Sequence, residues 1–489
     1  MTTDLLRRVS LVLRADPSRV IAKLFLPGQE TLANGISRAD QVIHRVLAMK
    51  ADQVTRTLTD TVHRFGDRHA DLPGILRSHF ELVAHRLPAG SEISDDRAAL
   101  IGAYFTQEYS IEAAALFNPS MVAHPDQSGL GRGELRFVMS VRAVGEGHVS
   151  SIEFRTGVLT VDGDVRLDGN GRHLTPGRPG RRTMAREFVA AALEEHATLA
   201  PVGDVFSLLP AEFDAADLER AVAAVHHDWL TRGSAEVAID RIRGIMARTY
   251  RVHFDPERPL SERVLLPVAP DESHGVEDAR FTLFVDDTGE STYYGTFTAF
   301  DGVNIEPRLI QTKDFQNFDI SQLIGPAAKD KGMAIFPRRV LGRYLALSRW
   351  DRESIGIASS ADARQWGDAR TIQTPEQPWE VVQLGNCGPP IETEAGWLVL
   401  THGVGPMRQY AIGATLLDLD NPTKLIGALA EPLLTPDENE REGYVPNVVY
   451  SCGALRHGDT LVLPYGCSDS AIRIAFIDLP RLLERLASA

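Results

Sequence analysis

The chain lacks an excess of positive charge. Its 489 residues carry 51 Lys and Arg against 66 Asp and Glu, which gives a formal net charge of −15. A protein that binds nucleic acid needs a basic surface to neutralise phosphates. The charge balance therefore argues against a nucleic-acid partner, although it leaves room for a local basic pocket that binds a small anion.

Cysteine is scarce, and a long apolar run is missing near the start. The three cysteines, Cys387, Cys452 and Cys467, contain no CxxC pair, so a disulfide or zinc framework is not expected. No His, Cys and carboxylate cluster has metal-ligand spacing, and we expect no metal.

Charges recur every few residues over the first twenty, which argues against a secretory signal or a membrane span. These features predict a cytoplasmic protein with no membrane partner.

Helical periodicity dominates the first 116 residues. Apolar side chains at Val42, Ile43, Val46 and Leu47 follow the 3–4 spacing of an amphipathic helix. Further helices are expected at about 51–65, 72–87, 94–104 and 110–116, after a β-like stretch within about 1–30. We predict an all-α N-terminal region over 1–116. Packing or self-association is its expected role, and a homo-oligomer is one alternative for the assembly.

Short strands take over from residue 117. Residues 135–142 are predicted as a strand and 150–156 as its hairpin partner. A mainly helical insertion is expected at about 160–260. Strands and turns then continue to residue 477, before a C-terminal helix within 478–489.

The β half of the chain contains a repeat. Segments 312–318 and 360–366 share the pattern Ser/Thr-x-Asp-x-x-x-aromatic, and five hairpins along the chain end in a polar residue. A period of about 50 residues of short strands is typical of propeller blades. We therefore predict a mainly β fold, a five-bladed β-propeller over 117–477, with the helical insertion after its first blade. Polar strand ends would then meet at one central axis.

A series of ordered motifs points to one family. They are FNPS at Phe117, GVEDAR at Gly275, KGMAIFP at Lys331, GPPIETEAGWLVLTHGV at Gly388 and YGCSD at Tyr465. Together they resemble glycoside hydrolase family 130, the β-mannoside phosphorylases and related β-mannosidases, which are five-bladed propellers. The resemblance covers 118–142 and most of 275–469. It says nothing about the N-terminal helices or the insertion at 160–260.

The resemblance implies that Asp278, in GVEDAR, is the catalytic acid, acting in the phosphorylases through a sugar hydroxyl. Cleaving a glycosidic bond with inversion needs a proton for the leaving oxygen and a nucleophile on the opposite face of the ring. From the residues alone, a solvated turn is the alternative for Asp278. Three places depart from the family pattern, and they bear on acceptor specificity. They are Ala279 in place of proline, Gly332 in place of aspartate, and Asn386-Cys387 where small residues are common.

The remaining site residues also follow from the resemblance. Basic side chains expected on the phosphate side are Arg280, Lys331, Arg349 and His402, and the planar fork of arginine suits phosphate oxygens. Residues expected to bind the sugar are Asn118, Arg142, Glu277, Tyr410, Glu440, Asn447 and Asp469. The loop that holds Glu146 and His148 is expected to shape substrate choice. Each of these side chains has a plain structural role as its alternative.

The predicted activity is that of an inverting β-mannoside phosphorylase, which transfers a mannosyl group from a small oligosaccharide to inorganic phosphate and gives α-mannose 1-phosphate. Phosphate is then a co-substrate, and no cofactor is expected. One alternative is an inverting β-mannosidase that uses water, with Glu440 as the base that such an enzyme needs. A non-catalytic, carbohydrate-binding propeller is the other alternative.

Overall fold

The computed structural model describes residues 5–28, 36–194, 203–225 and 233–488. The chain divides into two compact units. The larger comprises Met1–Ala15, Ala114–Asn170 and Pro176–Ala489, and the smaller comprises Asp16–Ala113 with Gly171–Thr175. The larger unit includes the first strand of the chain, β1 (Leu6–Arg14).

The smaller unit combines helices with a two-stranded sheet. Strand β2 (Val20–Leu24) pairs antiparallel with β3 (Thr106–Ser110). Between them in sequence lie the helices α1 (Arg38–Leu47), α2 (Ala51–Phe65), α3 (Leu72–Val83) and α4 (Asp95–Tyr104). Ser37, Asp71 and Ser94 each accept a backbone N–H from the first turn of a helix, as N-cap residues do. The apolar faces of the helices form the core of this unit.

The prediction of an all-α region over 1–116 is wrong in part. Four helices lie close to the predicted positions, but β1, β2 and β3 lie in the same region. The helix predicted at 110–116 is absent, because the chain there ends β3, turns and enters β4 (Ala115–Ala123). Strand β4 is buried on both faces, so it lacks the alternation that separates a strand from a buried helix in sequence.

The larger unit continues with an antiparallel meander. Its strands are β4, β5 (Leu135–Val144), β6 (Ser150–Leu159) and β7 (Val165–Leu167). The hairpin predicted from residues 135–142 and 150–156 is present, with Arg142 opposite Ile152. One end of β5 therefore brings Arg142 close to the end of β4.

A segment of short strands and helices follows. In order they are β8 (Thr175–Pro176), β9 (Arg178–Arg181), β10 (Met184–Ala185), α5 (Arg186–Glu194), α6 (Gly203–Leu208), β11 (Glu212–Phe213), α7 (Ala215–Ala224), α8 (Gly233–Ala247), β12 (Tyr250–His253) and β13 (Arg263–Leu265). Val189, Phe213, Leu218 and Ile242 are buried in the helical core. Parts of the predicted helical insertion, at 195–202 and 226–232, lie outside the described residues.

Groups of short antiparallel strands make up the remainder. The first group is β14 (Gly275–Val285), β15 (Ser291–Phe300), β16 (Ile305–Thr312) and β17 (Asn317–Gln322). The second is β18 (Ala334–Ile335), β19 (Tyr344–Ser348), β20 (Ile355–Ser360) and β21 (Arg370–Gln373). The third is β22 (Gln383–Asn386), β23 (Ile391–Thr393), β24 (Gly396–Val404), β25 (Tyr410–Leu417) and β26 (Leu425–Ala428). The last is β27 (Val449–Tyr450), β28 (Leu455–His457), β29 (Thr460–Cys467) and β30 (Ala471–Asp478), followed by helix α9 (Leu479–Ala487).

Strand pairing joins the two ends of the larger unit. Strand β1 pairs antiparallel with β30, with Leu6 opposite Ile477. A parallel bridge between Ser120 and Gly453 connects β4 to the last group of strands. The fold is mainly β, and its five-bladed arrangement stays a prediction.

Candidate active site

Two polar residues, Asn118 and Asp278, lie at β-bulges in strands β4 and β14. The register of β4 shifts between Phe117 and Ser120, and that of β14 shifts between Glu277 and Arg280. Asn118 has φ 50° and Asp278 has φ 57°, a left-handed conformation that is uncommon for residues other than glycine. A bulge re-aims a side chain, and bulges are frequent beside active sites. Here the Asn118 amide nitrogen donates to Oδ1 of Asp278 at 2.7 Å.

A cavity of about 210 Å³ opens at these bulges. The predicted site residues that line it are Asn118, Arg142, Asp278, Lys331, Arg349, His402, Tyr410 and Asp469. They come from different groups of strands and span more than 350 positions of the sequence. The lining residues that the sequence analysis did not predict are Phe117, Gln383, Arg408, Val445, Val448 and Tyr450.

Glu277 holds two cations beside Asp278. Its Oε1 accepts from Nη2 of Arg142 at 2.6 Å, and its Oε2 accepts from Nζ of Lys331 at 2.7 Å. Nη1 of Arg142 also lies 3.4 Å from Oδ1 of Asp278. Glu277 is 3% exposed and is not among the lining residues described. It therefore acts behind the cavity wall and orients Arg142 and Lys331.

The two carboxylates that line the cavity have opposite pKa shifts. Burial raises the pKa of Asp278, but Arg142, Arg280 and Lys331 outweigh burial and hold that pKa below its usual value. Burial and the charge of Asp278 raise the pKa of Asp469 to about 6. Opposite shifts in neighbouring carboxyls are a pattern of acid–base sites. In the resting site Asp278 is ionised, and Asp469 is the carboxyl that holds a proton near pH 6.

Arg349 and His402 form a buried pair. Nη1 of Arg349 lies 3.0 Å from Nε2 of His402. Burial, reinforced by the charges of Arg349 and Arg280, holds the pKa of His402 well below its usual value. Since an arginine only donates, Nε2 is the acceptor and the neutral ring carries its proton on Nδ1. The ring also meets Tyr450 edge-on, with centroids 4.8 Å apart, which fixes its orientation.

Some buried polar atoms of the cavity residues make no hydrogen bond with the residues that the structure describes. They include Oδ1 of Asn118, an acceptor, and Nε of Arg349, a donor. Buried polar groups in proteins are normally paired. An acceptor and a donor left open around one small cavity fit a ligand that carries both hydroxyl and anionic oxygens.

Lys331 lies in a loop whose backbone is tightly constrained. Asp330 has φ 61° and Gly332 has φ 91°, so left-handed residues flank the lysine. The Asn386 amide nitrogen donates to the Gly332 carbonyl at 2.7 Å. Oδ2 of Asp330 lies 3.6 Å from Nη2 of Arg349. This loop connects the position of Lys331 to that of Arg349.

Arg280 was expected on the phosphate side of the site, but its side chain lies behind the cavity wall. Its side-chain nitrogens donate to the carbonyls of Asp278 and Cys387 and to the hydroxyl of Tyr450, at 2.7, 3.2 and 2.9 Å. It is 1% exposed and is not among the lining residues described. Arg280 therefore braces the bulge at Asp278 from behind, where its charge still acts on that carboxyl.

Glu440 and Asn447 also lie away from the described cavity lining. Glu440 accepts from the hydroxyl of Tyr465 at 2.7 Å and pairs with Arg8 at 3.3 Å. Oδ1 of Asn447 accepts from Nε of Arg441 at 2.9 Å. Both side chains hold neighbouring segments together, because their oxygens are already engaged by the protein.

Among the described residues, no group of three or more His, Cys, Asp and Glu side chains is placed to hold a metal ion. In the same part of the chain, no helix has both the length and the apolar character needed to cross a membrane.

Comparison with known proteins identifies the family. A family model described as beta-1,4-mannooligosaccharide phosphorylase matches residues 249–487. A 1,2-beta-oligomannan phosphorylase from Thermoanaerobacter sp. is 33% identical over 225 residues, covering 45% of this chain and 74% of that enzyme.

The chain belongs to glycoside hydrolase family 130.

Two further similar proteins come from Listeria innocua. A beta-1,2-mannobiose phosphorylase from Listeria innocua is 35% identical over 243 residues, which is 48% of this chain and 65% of the relative's length. The solved structure of a Listeria innocua beta-1,2-mannobiose phosphorylase with beta-1,2-mannobiose has a TM-score of 0.46 and 24% identity, covering 78% of this chain and 94% of that one.

The family 130 match reaches only part of the cavity. Residues 249–487 include Asp278, Arg349 and His402, but Asn118 and Arg142 precede them in the chain. Strands β4 and β5 bring these two residues to the cavity.

Proposed function

We propose that this protein is a β-mannoside phosphorylase that cleaves a β-mannosidic bond with inorganic phosphate and inverts the configuration. The observation that carries the proposal is the cavity itself. A carboxyl at a bulge, Asp278, shares it with the cations Arg142, Lys331 and Arg349. The phosphorylase names of the family 130 relatives support the same activity.

Phosphate binding is assigned to Arg349, His402 and Lys331. Arg349 offers its open Nε, neutral His402 offers the proton on Nδ1, and Lys331 adds a second positive charge. Charge-assisted hydrogen bonds to phosphate oxygens are strong. Arg280 contributes through its charge from behind the wall. We infer that Asn118, through its open Oδ1, and Asp469 bind sugar hydroxyls.

Phosphate also explains how Asp278 can act as an acid. In the resting site three cations keep this carboxyl ionised, whereas a general acid must hold a proton. The negative charge of a bound phosphate offsets those cations and raises the pKa of Asp278. Binding of the co-substrate therefore prepares the acid for proton transfer.

The reaction then proceeds in one displacement. A phosphate oxygen bonds to the anomeric carbon on the face opposite the leaving oxygen, and the bond from that carbon to the leaving oxygen breaks. The leaving oxygen takes a proton from a sugar hydroxyl, which is in turn reprotonated by Asp278. The products are α-mannose 1-phosphate and the remaining sugar.

The larger unit supplies the scaffold, and we propose that it is a five-bladed propeller. Three of its sheets are groups of four or five strands, namely β18–β21, β22–β26 and β27–β30 with β1, whereas β4–β7 and β14–β17 belong to one larger sheet. The pairing of β1 with β30 joins the two ends of the unit. Such an arrangement directs one end of each group to a common axis. That would account for a cavity built from residues so distant in sequence.

The linkage is left open between β-1,2 and β-1,4. The two relatives described above are named for β-1,2-linked substrates, and the family description names a β-1,4 substrate. The test incubates the protein with β-1,2- and β-1,4-mannobiose, with and without phosphate, beside an Asp278→Asn variant. Mannose 1-phosphate formed only with phosphate and only by the unsubstituted protein is the expected result. Free mannose released equally fast without phosphate would establish hydrolysis instead.

Hydrolysis would require a base that activates water. Glu440, the base considered from sequence, is fully buried and paired with Arg8 and Tyr465. Its position favours phosphate over water as the nucleophile.

A further inference from the structure

The cavity is too small for both sugars of a disaccharide. Its volume of about 210 Å³ lies below the roughly 300–1,000 Å³ of pockets that enclose drug-sized ligands. One sugar ring beside a phosphate already fills such a space. If the proposed function holds, the second ring, which leaves as product, must lie at the mouth of the cavity.

Exposure distinguishes the floor of the cavity from its mouth. His402 is 1% exposed and Asp278 is 5% exposed, so both belong to the floor. Arg408 lines the same cavity but is exposed to solvent. Val445 and Asp469 are intermediate. The mouth therefore lies on the side of Arg408, Val445 and Asp469.

An exposed aromatic pair, His148 and Tyr444, lies beside this mouth. Their ring centroids are 6.1 Å apart at an interplanar angle of 32°, and the Tyr444 hydroxyl lies 3.5 Å from Nδ1 of His148. Tyr444 is 55% exposed although it is a large aromatic side chain. The pair presents ring surface to solvent.

Both members of the pair lie on segments that carry or adjoin cavity residues. Tyr444 precedes Val445, which lines the cavity, and its backbone N–H donates to Oγ of Ser470, the neighbour of Asp469, at 2.7 Å. His148 lies in the hairpin turn between β5 and β6. In β6, Ser150 accepts from Nε of the cavity residue Arg142 at 2.9 Å.

The turn that carries Arg408 has the same backbone form as the turn that carries His148. Gly147 and His148 have φ 70° and 60°, and Met407 and Arg408 have φ 58° and 56°. A non-glycine residue held in this region costs roughly 1–2 kcal/mol, and such strain clusters at ligand-binding sites. Two strained turns thus present His148 and Arg408 next to one cavity.

We propose that Tyr444 and His148 form the binding surface for the leaving sugar, a hexopyranose, with Arg408 as a donor to its hydroxyls. A tyrosine ring offers a flat apolar surface and a polar edge, which matches the C–H face and hydroxyl rim of a pyranose. This inference rests on the proposed phosphorylase function and names the part of the site that selects the acceptor.

The test uses the synthetic direction, with mannose 1-phosphate as donor and mannose as acceptor, each varied separately. Tyr444→Ala and His148→Ala should each raise the KM for the acceptor by roughly five- to tenfold and leave the KM for mannose 1-phosphate unchanged. Tyr444→Phe, which keeps the ring, should remain close to the unsubstituted protein. Leu341→Ala is the matched control, since Leu341 is an exposed turn residue, 87% accessible, with φ 51°.

The outcomes separate this inference from the proposed function. If the unsubstituted protein makes no disaccharide and performs no phosphorolysis, the proposed function fails. If it turns over normally but both alanine variants keep the acceptor KM, the inference alone is overturned. An equal rise in both KM values would overturn it as well, because the surface would then not be specific to the acceptor.

Discussion

At the scale of single residues, Asp278 carries the most specific role. We expect Asp278→Asn to lower kcat/KM for phosphorolysis by roughly 10²–10⁴-fold, the usual contribution of a positioned acid. Asparagine has the same shape and tolerates the left-handed backbone at this bulge, so the variant should fold. Steady-state kinetics measure the loss, and circular dichroism checks the fold. Activity within about twofold of the unsubstituted protein would remove Asp278 from the mechanism.

The raised pKa of Asp469 leads us to expect that the stability of the folded protein depends on pH. Its folded-state pKa of about 6 lies above the roughly 3.9 of an unfolded aspartate. The group therefore favours the folded state fully below pH about 4, and this contribution is lost as the pH rises through about 6. Asp469→Asn should raise the free energy of unfolding at pH 8 by about 1–2 kcal/mol, discounted for partial exposure. Denaturant unfolding at pH 4 and pH 8 measures it, and equal effects at the two pH values would contradict the assignment.

At the scale of elements, the loop that holds Lys331 links Lys331 to Arg349, the two cations that we propose bind phosphate. Asp330→Asn keeps the side-chain shape and the left-handed backbone but removes the charge that lies 3.6 Å from Arg349. Without that charge Arg349 is held less firmly, and we expect the KM for phosphate to rise roughly three- to tenfold with a smaller change in kcat.

A second arginine offers the control for this loop. Arg352 lies 4.0 Å from the same Asp330 carboxylate but is 76% exposed, and an exposed pair contributes little. Arg352→Ala should leave the KM for phosphate unchanged. If Arg352→Ala and Asp330→Asn act alike, Asp330 serves the loop in general and not Arg349 in particular.

The sequence predicts which side chains reach the cavity where a strand end decides the side chain's position. Arg349 directly follows β19 and His402 lies near the end of β24, and both line the cavity. The position of Arg280 behind the cavity wall has a local cause. The bulge between Glu277 and Arg280 shifts the alternation of β14, and a shift of one residue moves a side chain to the other face. No feature of the sequence specifies that bulge.

Tertiary pairing limits prediction in two further places. Glu440 is a carboxylate of a suitable type in a matching motif, yet Arg8, more than 400 residues away in sequence, pairs with it. Arg408 was missed because a charged residue in a hairpin turn is expected on any protein surface. In both cases the role of the side chain depends on which distant segment of the chain packs against it.

At the scale of the whole molecule, the pairing of β1 with β30 stabilises the larger unit by holding its two ends together. Arg8, in β1, reaches Glu440, whose side chain is fully buried, whereas that of Arg8 is 31% exposed. Removing one partner of a buried pair is destabilising, although Glu440 would keep a second cation, Arg473, at 3.7 Å. We expect Arg8→Ala to lower the free energy of unfolding by about 1–3 kcal/mol, the lower part of the range for buried pairs because Arg8 is partly exposed.

Arg7, the neighbour of Arg8 in the sequence, provides the control variant for the Arg8–Glu440 ion pair. Arg7 lies over the ring of Phe476 at 4.9 Å and donates to the Gly163 carbonyl, and among the described residues it pairs with no buried carboxylate. Arg7→Ala should therefore cost less than about 1 kcal/mol. Denaturant unfolding of both variants gives the difference, and kcat and KM of the folded Arg8→Ala protein should stay unchanged because Glu440 lies away from the cavity. Equal losses of stability in the two variants would mean that strand pairing alone, and not the Arg8–Glu440 ion pair, holds the ends of the unit together.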